Sequence, residues 1–217
     1  MMDQTDHQTA SRGFTVVELV VALGLSAVVF GLIVSFFADM SRSTTTQNAA
    51  AAAQQTARAG VDFMAQELRL AGLDPLNSAG AGIEEISVDG TKIRFTSDSC
   101  DLPIGHSGTC DNPVPDGNVN GKNERVTYWY DAGSRVLRRY LYEGTPSETW
   151  TPLLEQVEPN PDNVPLFTFL GGNGSPTTVR ADIRTVLITL TIQEPAGRSK
   201  AVERTYSSRV RLRNIGL

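Results

Sequence analysis

Residues 14–38 read FTVVELVVALGLSAVVFGLIVSFFA, a run with a single ionisable side chain, Glu18. As a helix rising about 1.5 Å per residue it would measure about 37 Å, more than the ~30 Å hydrocarbon core of a bilayer. No proline occurs between Phe14 and Asp74, so the backbone carries no obligatory interruption. From Asn48 onward alanine, glutamine and leucine dominate, and these are good helix formers. Ala57, Val61, Met64, Leu68 and Ala71 recur at helical spacing and predict one apolar stripe. Gly72 followed by Pro75 is a stop signal. The pattern therefore predicts one helix over 14–71, about 85 Å long, with its first half solvated by lipid and its second half packed on a core. The weakest stretches are Thr44-Thr45-Thr46, whose β-branched side chains lose rotamer freedom in a helix, and the glycines Gly24 and Gly31.

The segment ahead of the run, MMDQTDHQTASRG, does not read as a secretory signal. Such a signal has a shorter apolar stretch with a small-residue cleavage site beyond it. Here the small residue, Gly13, stands before the apolar run, so a cut there would keep the helix in the mature chain. Asp3 and Asp6 offset Arg12, so the charge of this segment says little about orientation.

Arg12-Gly13-Phe14-Thr15-Val16-Val17-Glu18-Leu19-Val20-Val21-Ala22-Leu23 closely resembles the N-terminus of the type IV prepilin family. The resemblance implies that a membrane-embedded prepilin peptidase cuts between Gly13 and Phe14 and methylates the new amine of Phe14. It also implies that Glu18 pairs with the amine of a neighbouring subunit and sets the register of a filament. A carboxylate in hydrocarbon costs a few kcal/mol, and a charge pair at about 4 Å returns on the order of 4 kcal/mol at an effective dielectric near 20. A hydrated Glu18 at the membrane interface is the alternative. Residues 47–59 and 67–72 resemble PilW-type minor pilins in particular, and the later strand order also resembles pseudopilin-J-type chains. The domains expected are a cleaved leader over 1–13, a transmembrane half-helix over 14–38, an amphipathic half-helix over 39–72 and a β-rich globular part over 73–217.

Beyond residue 83 the period changes from helical to alternating. Residues 85–89 and 92–96 flank Asp89-Gly90, a type I′ hairpin signal. Residues 125–130 and 135–142 flank Asp131-Ala132-Gly133-Ser134. Residues 166–170 form a short apolar run, and over 185–193 Val186, Ile188, Leu190 and Ile192 alternate onto one face. Pro195-Ala196-Gly197 then turns the chain into 202–213. Strands after one long helix predict an α+β fold, with the helix packed on an antiparallel sheet. The resemblance implies the same, since that is the type IV pilin fold.

Cys100 and Cys110, the only cysteines, lie in a polar stretch and read as one disulfide worth about 3 kcal/mol. That would place the domain in an oxidising compartment; two free thiols are the alternative. His106 is the only nearby histidine, too few ligands for a zinc site. Asp116-Gly117-Asn118-Val119-Asn120-Gly121 matches the opening of a calcium loop, with Asp116, Asn118 and Asn120 as candidate ligands. Thr127 stands where the bidentate glutamate belongs, and Glu124 would need a different wrap. The same residue types make an ordinary solvated turn, the preferred reading, so no cofactor is expected, with calcium the alternative.

The chain carries 19 Lys and Arg against 24 Asp and Glu, a balance that argues against general affinity for nucleic acid. Arg138, Arg139, Arg204, Arg209, Arg211 and Arg213 read first as a solvated sheet face; contact with DNA or with acidic neighbours is the alternative. No nucleophile and base stand together, so no enzyme is expected. The function expected from the resemblance is a minor pilin that initiates or caps a type IV pilus. The alternatives are a type II secretion pseudopilin, or a filament-tip module binding surfaces, calcium or DNA. The expected partners are other pilin subunits, prepilin peptidase and the inner-membrane assembly machinery. The location implied is the bacterial inner membrane, N-terminus cytoplasmic, with the globular part periplasmic and then extracellular.

Overall fold

The computed structural model describes residues 13–99, 115–121, 123–198 and 200–215. It is an α+β fold with one long helix and two antiparallel sheets. The chain divides between Thr45 and Thr46 into two units, and helix α1, Val16–Leu68, contributes to both.

In the first unit the helix exposes its apolar side chains on every face, Val20, Leu25, Phe30 and Phe37 among them. It is the one described helix long and apolar enough to cross a membrane. Gly24 and Gly31 are helical, and so is the threonine run. The hydroxyls of Ser26 and Ser35 in the apolar run, and of Thr44 and Thr45 beyond it, donate to the carbonyls of Ala22, Gly31, Met40 and Ser41, so each is satisfied within the helix.

In the second unit the predicted stripe is the buried one. Ala57, Val61, Met64 and Leu68 are fully buried, as is Ala71 just past the helix end. The helix stops three residues before Ala71, because the amides of Leu70 and Ala71 turn to the carbonyls of Glu67 and Leu68 in a tighter turn. Gly72 follows at φ 79°, and its amide donates to Thr96 O at 2.9 Å.

The first sheet is an antiparallel meander of β1 (Ile83–Ile86), β2 (Lys92–Thr96), β3 (Arg125–Asp131), β4 (Val136–Leu141) and β5 (Thr149–Leu154). The second is built on β8 (Ile183–Glu194). Along one edge β8 pairs with β6 (Val157–Glu158) and β7 (Phe167–Gly171), and along the other with β9 (Val202–Arg211). Val186, Ile188, Leu190 and Ile192 are buried on one face, as their alternation requires. They join Phe167 and Phe169, the helix stripe, and Ile93, Phe95, Val126 and Leu137 of the first sheet in one core.

Several boundaries differ from expectation for local reasons. The Asp89-Gly90 turn is not type I′, which needs positive φ at both residues; only Gly90 has it, at 67°. Ser87 Oγ accepts the amides of Thr91 and Lys92, each at 2.8 Å, and Asp89 Oδ1 accepts that of Thr91 at 3.1 Å. These bonds draw residues 87–91 into a loop and end β1 at Ile86. Gly90 is also a close approach: Phe167 N donates to Gly90 O at 2.9 Å, and a Cβ there would lie 2.3 Å from Phe167 O. Strands β5 and β6 have no counterpart in the sequence reading, since Pro152 breaks the first pattern and the second has two residues.

One ionic cluster crosses from helix to sheet. Arg139 on β4 donates to Glu67 on the helix through Nε at 3.0 Å and Nη2 at 2.6 Å, and Tyr128 on β3 donates its hydroxyl to the same carboxylate. Burial pushes the Tyr128 phenol well above its ordinary value, and the adjacent Glu67 carboxylate pushes the same way. Neither Arg139 nor Arg138 belongs to the expected solvated face: Arg138 keeps 22% of its side-chain surface exposed, stacks over Trp129 and Trp150 and pairs with Asp131 at 3.0 Å.

Candidate functional site

The site predicted from the sequence lies at the start of α1. Gly13, Phe14 and Thr15 precede the helix in non-helical conformation, and Phe14 is 83% exposed. Thr15 is the N-cap, since Leu19 N donates to Thr15 O at 3.1 Å to make the first helical bond. Its side chain and that of Glu18 then close on each other. Glu18 N donates to Thr15 Oγ1 at 3.2 Å, and Thr15 N and Oγ1 reach Glu18 Oε2 at 3.4 and 3.3 Å. This is a capping box, in which two orphan amides at a helix start are satisfied reciprocally. The carboxylate also sits at the positive end of the helix dipole, worth about 0.3–1 kcal/mol.

The T-x-x-E spacing is itself a sequence signal for this arrangement, and Thr15 is a residue the sequence reading missed. The structure gives Glu18 a partner within its own chain. Its polarity is thus partly met within the chain. Gly13, where the cut is expected, is exposed, and nothing lies within 4 Å of where its side chain would be. Asp39 and Arg42, 3.7 Å apart, are the first charges after Glu18 and mark the end of the apolar run.

Cys100 and Cys110 lie outside the described residues, as does His106. The candidate calcium loop is described, apart from the residue after Gly121, and it is organised around other carboxylates. Asp98, fully buried, accepts the amides of Asp116 and Gly117, each at 3.1 Å. Glu124, 1% exposed, accepts the amide of Ser99 at 2.8 Å and that of Gly121 at 2.6 Å. Asp116 Oδ1 accepts Asn118 N at 2.8 Å, an ordinary Asx turn. Both oxygens of Glu124 are thus committed to backbone amides, and no group of three or more acidic, histidine or cysteine ligands forms among the described residues. Among the described residues Asp116, Asn118 and Asn120 stand in a turn that Asp98 and Glu124 organise through backbone amides. Asp98 was invisible as an organiser because a lone aspartate in a polar stretch carries no pattern.

Arg204, Arg209 and Arg211 are exposed on β9 and Arg213 just beyond it. Comparison with protein-family models, with curated proteins and with solved structures finds no match to this chain.

Proposed function

We propose that the chain is a minor pilin of the type IV family, a membrane-anchored subunit that helps initiate or cap a pilus. The observation that carries this reading is the coincidence at the start of α1. A glycine-aromatic junction stands two residues ahead of the helix, an acidic side chain sits on its third position, and the uncovered apolar helix runs on into the core of an α+β domain. In this reading prepilin peptidase cuts at Gly13–Phe14 and the amine of Phe14 is methylated. The helix anchors the subunit in the inner membrane and then packs in the filament. The protein is structural, with no catalytic role.

Glu18 then has two competing partners. Its own capping box contributes about 1 kcal/mol, while a charge pair with the amine of a neighbouring subunit contributes on the order of 4 kcal/mol in a site of low polarity. The second exceeds the first, so assembly draws Glu18 away from its cap. Two substitutions separate these roles. Glu18→Gln keeps a capping-box acceptor and loses the charge, whereas Glu18→Ala loses both. In a host with an active pilus system, both variants are expected to be processed and to remain in the membrane, and both to be missing from sheared filaments. Incorporation of Glu18→Gln at the parental level would show that only the cap matters and would remove the charge-pair role.

A further inference from the structure

Four of the five sheet edges are short, interrupted or covered among the described residues, that of the two-residue β6 included. β1 has four residues, and Arg180 donates to the Glu84 carbonyl. β5 carries Pro152, which lacks an amide. Beside β7 the chain folds back, with Thr177 N donating to Phe169 O at 3.0 Å. Short strands, prolines and covering segments are how proteins keep edges from pairing. β9 has none of these: it is ten residues long, without proline, and pairs only with β8.

The register shows which groups face outward. Leu212 N donates to Arg184 O at 2.9 Å, so the even-numbered residues of β9 bond to β8, and the amides and carbonyls of Glu203, Thr205, Ser207, Arg209 and Arg211 face the open edge. All five residues are exposed. The only one of these backbone groups with a described partner is the Glu203 carbonyl, which accepts Arg204 Nη1 at 3.0 Å. In the first sheet Lys92, Arg94, Arg125 and Arg138 each have a carboxylate partner. Arg209 and Arg211 have none among the described residues.

This row is complementary to itself. If a second β9 lies antiparallel with its Ser207 opposite the first Ser207, then Arg211 faces Glu203 twice, Arg209 faces Thr205 twice, and all five outward residues meet an outward residue of the partner. Residues directly opposite in such hydrogen-bonded pairs have Cα atoms about 5.5 Å apart, within reach of an ion pair. A shift by two residues in either direction leaves an outward residue without a counterpart. Gln193 Nε2, 3.0 Å from Glu203 Oε1, already holds that carboxylate on the same face.

We propose that β9 is the docking edge for a second copy of this chain, joined about a two-fold axis at Ser207 into one continuous sheet. Such an interface is isologous and closes on itself, so it makes a pair and not a polymer. It holds whether or not the chain enters a filament.

The test uses the full chain in detergent micelles, followed by sedimentation velocity. The parent forms a dimer. Glu203→Arg or Arg211→Glu alone places two like-charged pairs across the interface and is expected to weaken the dimer at least about tenfold. The double variant Glu203→Arg/Arg211→Glu restores the pairs in reverse and is expected to return the parental affinity. Ser207→Cys is expected to cross-link on mild oxidation, and Thr205→Cys, which does not meet itself, to stay at the parental background. A parent that is monomeric at all concentrations would overturn the proposal. So would single and double variants that dimerise alike, or equal cross-linking at positions 205 and 207. Capture of the edge by an acidic strand peptide in preference to a second copy would also overturn it.

Discussion

Glu67→Gln tests whether the contact between helix and sheet is held by charge or by packing alone. The parent carboxylate takes two bonds from Arg139, at 3.0 and 2.6 Å, and the Tyr128 hydroxyl. The Arg139 and Glu67 side chains keep only 14% and 22% of their surface in water. Removing one partner of a fully buried pair costs about 3–5 kcal/mol, because the other charge is left desolvated. The residual exposure here and the acceptor that glutamine keeps for Tyr128 reduce this to about 2 kcal/mol. In a domain of this size that corresponds to a melting temperature about 4–8 °C lower. Urea unfolding of the chain in micelles, followed by near-ultraviolet circular dichroism of Trp129 and Trp150, measures it. The combined change Glu67→Leu/Tyr128→Phe/Arg139→Met removes every member at similar volume and is expected to lie within about 1 kcal/mol of the parent. A loss below about 0.5 kcal/mol for Glu67→Gln, within the range of ordinary surface substitutions, would refute the reasoning.

Acid is expected to loosen the outer face of the first sheet. Burial alone would raise the Glu143 carboxyl, but hydrogen bonds from Lys92 and Arg94 outweigh it and hold it down to about 2, against an ordinary 4.5. The folded value lies below the unfolded one, so this stabilisation is complete above about pH 4.5 and is lost as the pH falls toward 2. Its linkage value of about 3 kcal/mol is screened at these partly exposed groups to about 1–2 kcal/mol. Glu143→Gln should flatten that part of the stability profile in urea titrations from pH 6 to about 2, and an unchanged profile would count against the network. Gly90→Ala is expected to cost about 2 kcal/mol or more, from positive φ and the approach of Phe167 O; unchanged urea unfolding would contradict it. Asp98→Ala strands the amides of Asp116 and Gly117 and is expected to cost about 2–4 kcal/mol. Calcium should neither restore that variant nor release saturable heat with the parent in calorimetry, and either result would favour calcium over the ordinary turn.

What was legible in the sequence follows from period. Ala57, Val61, Met64 and Leu68 repeat at the helical interval, and Val186 to Ile192 alternate at the strand interval. Both sets mark burial directly because a buried face imposes its period on the residues that fill it. β5 was not legible because Thr149-Trp150-Thr151-Pro152 is an edge with no buried face to impose one. The turn at Asp89-Gly90 was misread because Ser87 and Asp89 compete for the amides that a two-residue hairpin would use. Asp98 escaped notice, and Glu124 was weighed only as a metal ligand, for a similar reason: a carboxylate that organises a loop is defined by the amides around it in space, and those of Asp116, Gly117 and Ser99 come from residues 18, 19 and 25 positions away. At the helix start the residue types were read for charge, and the Thr15–Glu18 spacing that closes the cap was there to be read as well.

Where the mature chain begins separates a pilin from an ordinary single-pass protein most directly. Mass spectrometry of the protein purified from membranes of a host with an active prepilin peptidase, beside a host lacking it, decides this. The predicted result is a chain starting at Phe14 with a methyl group on its amine in the first host, and residues 1–13 retained in the second. An N-terminus ahead of Gly13 in both hosts, or a cut beyond the apolar run that removes Glu18, would contradict it.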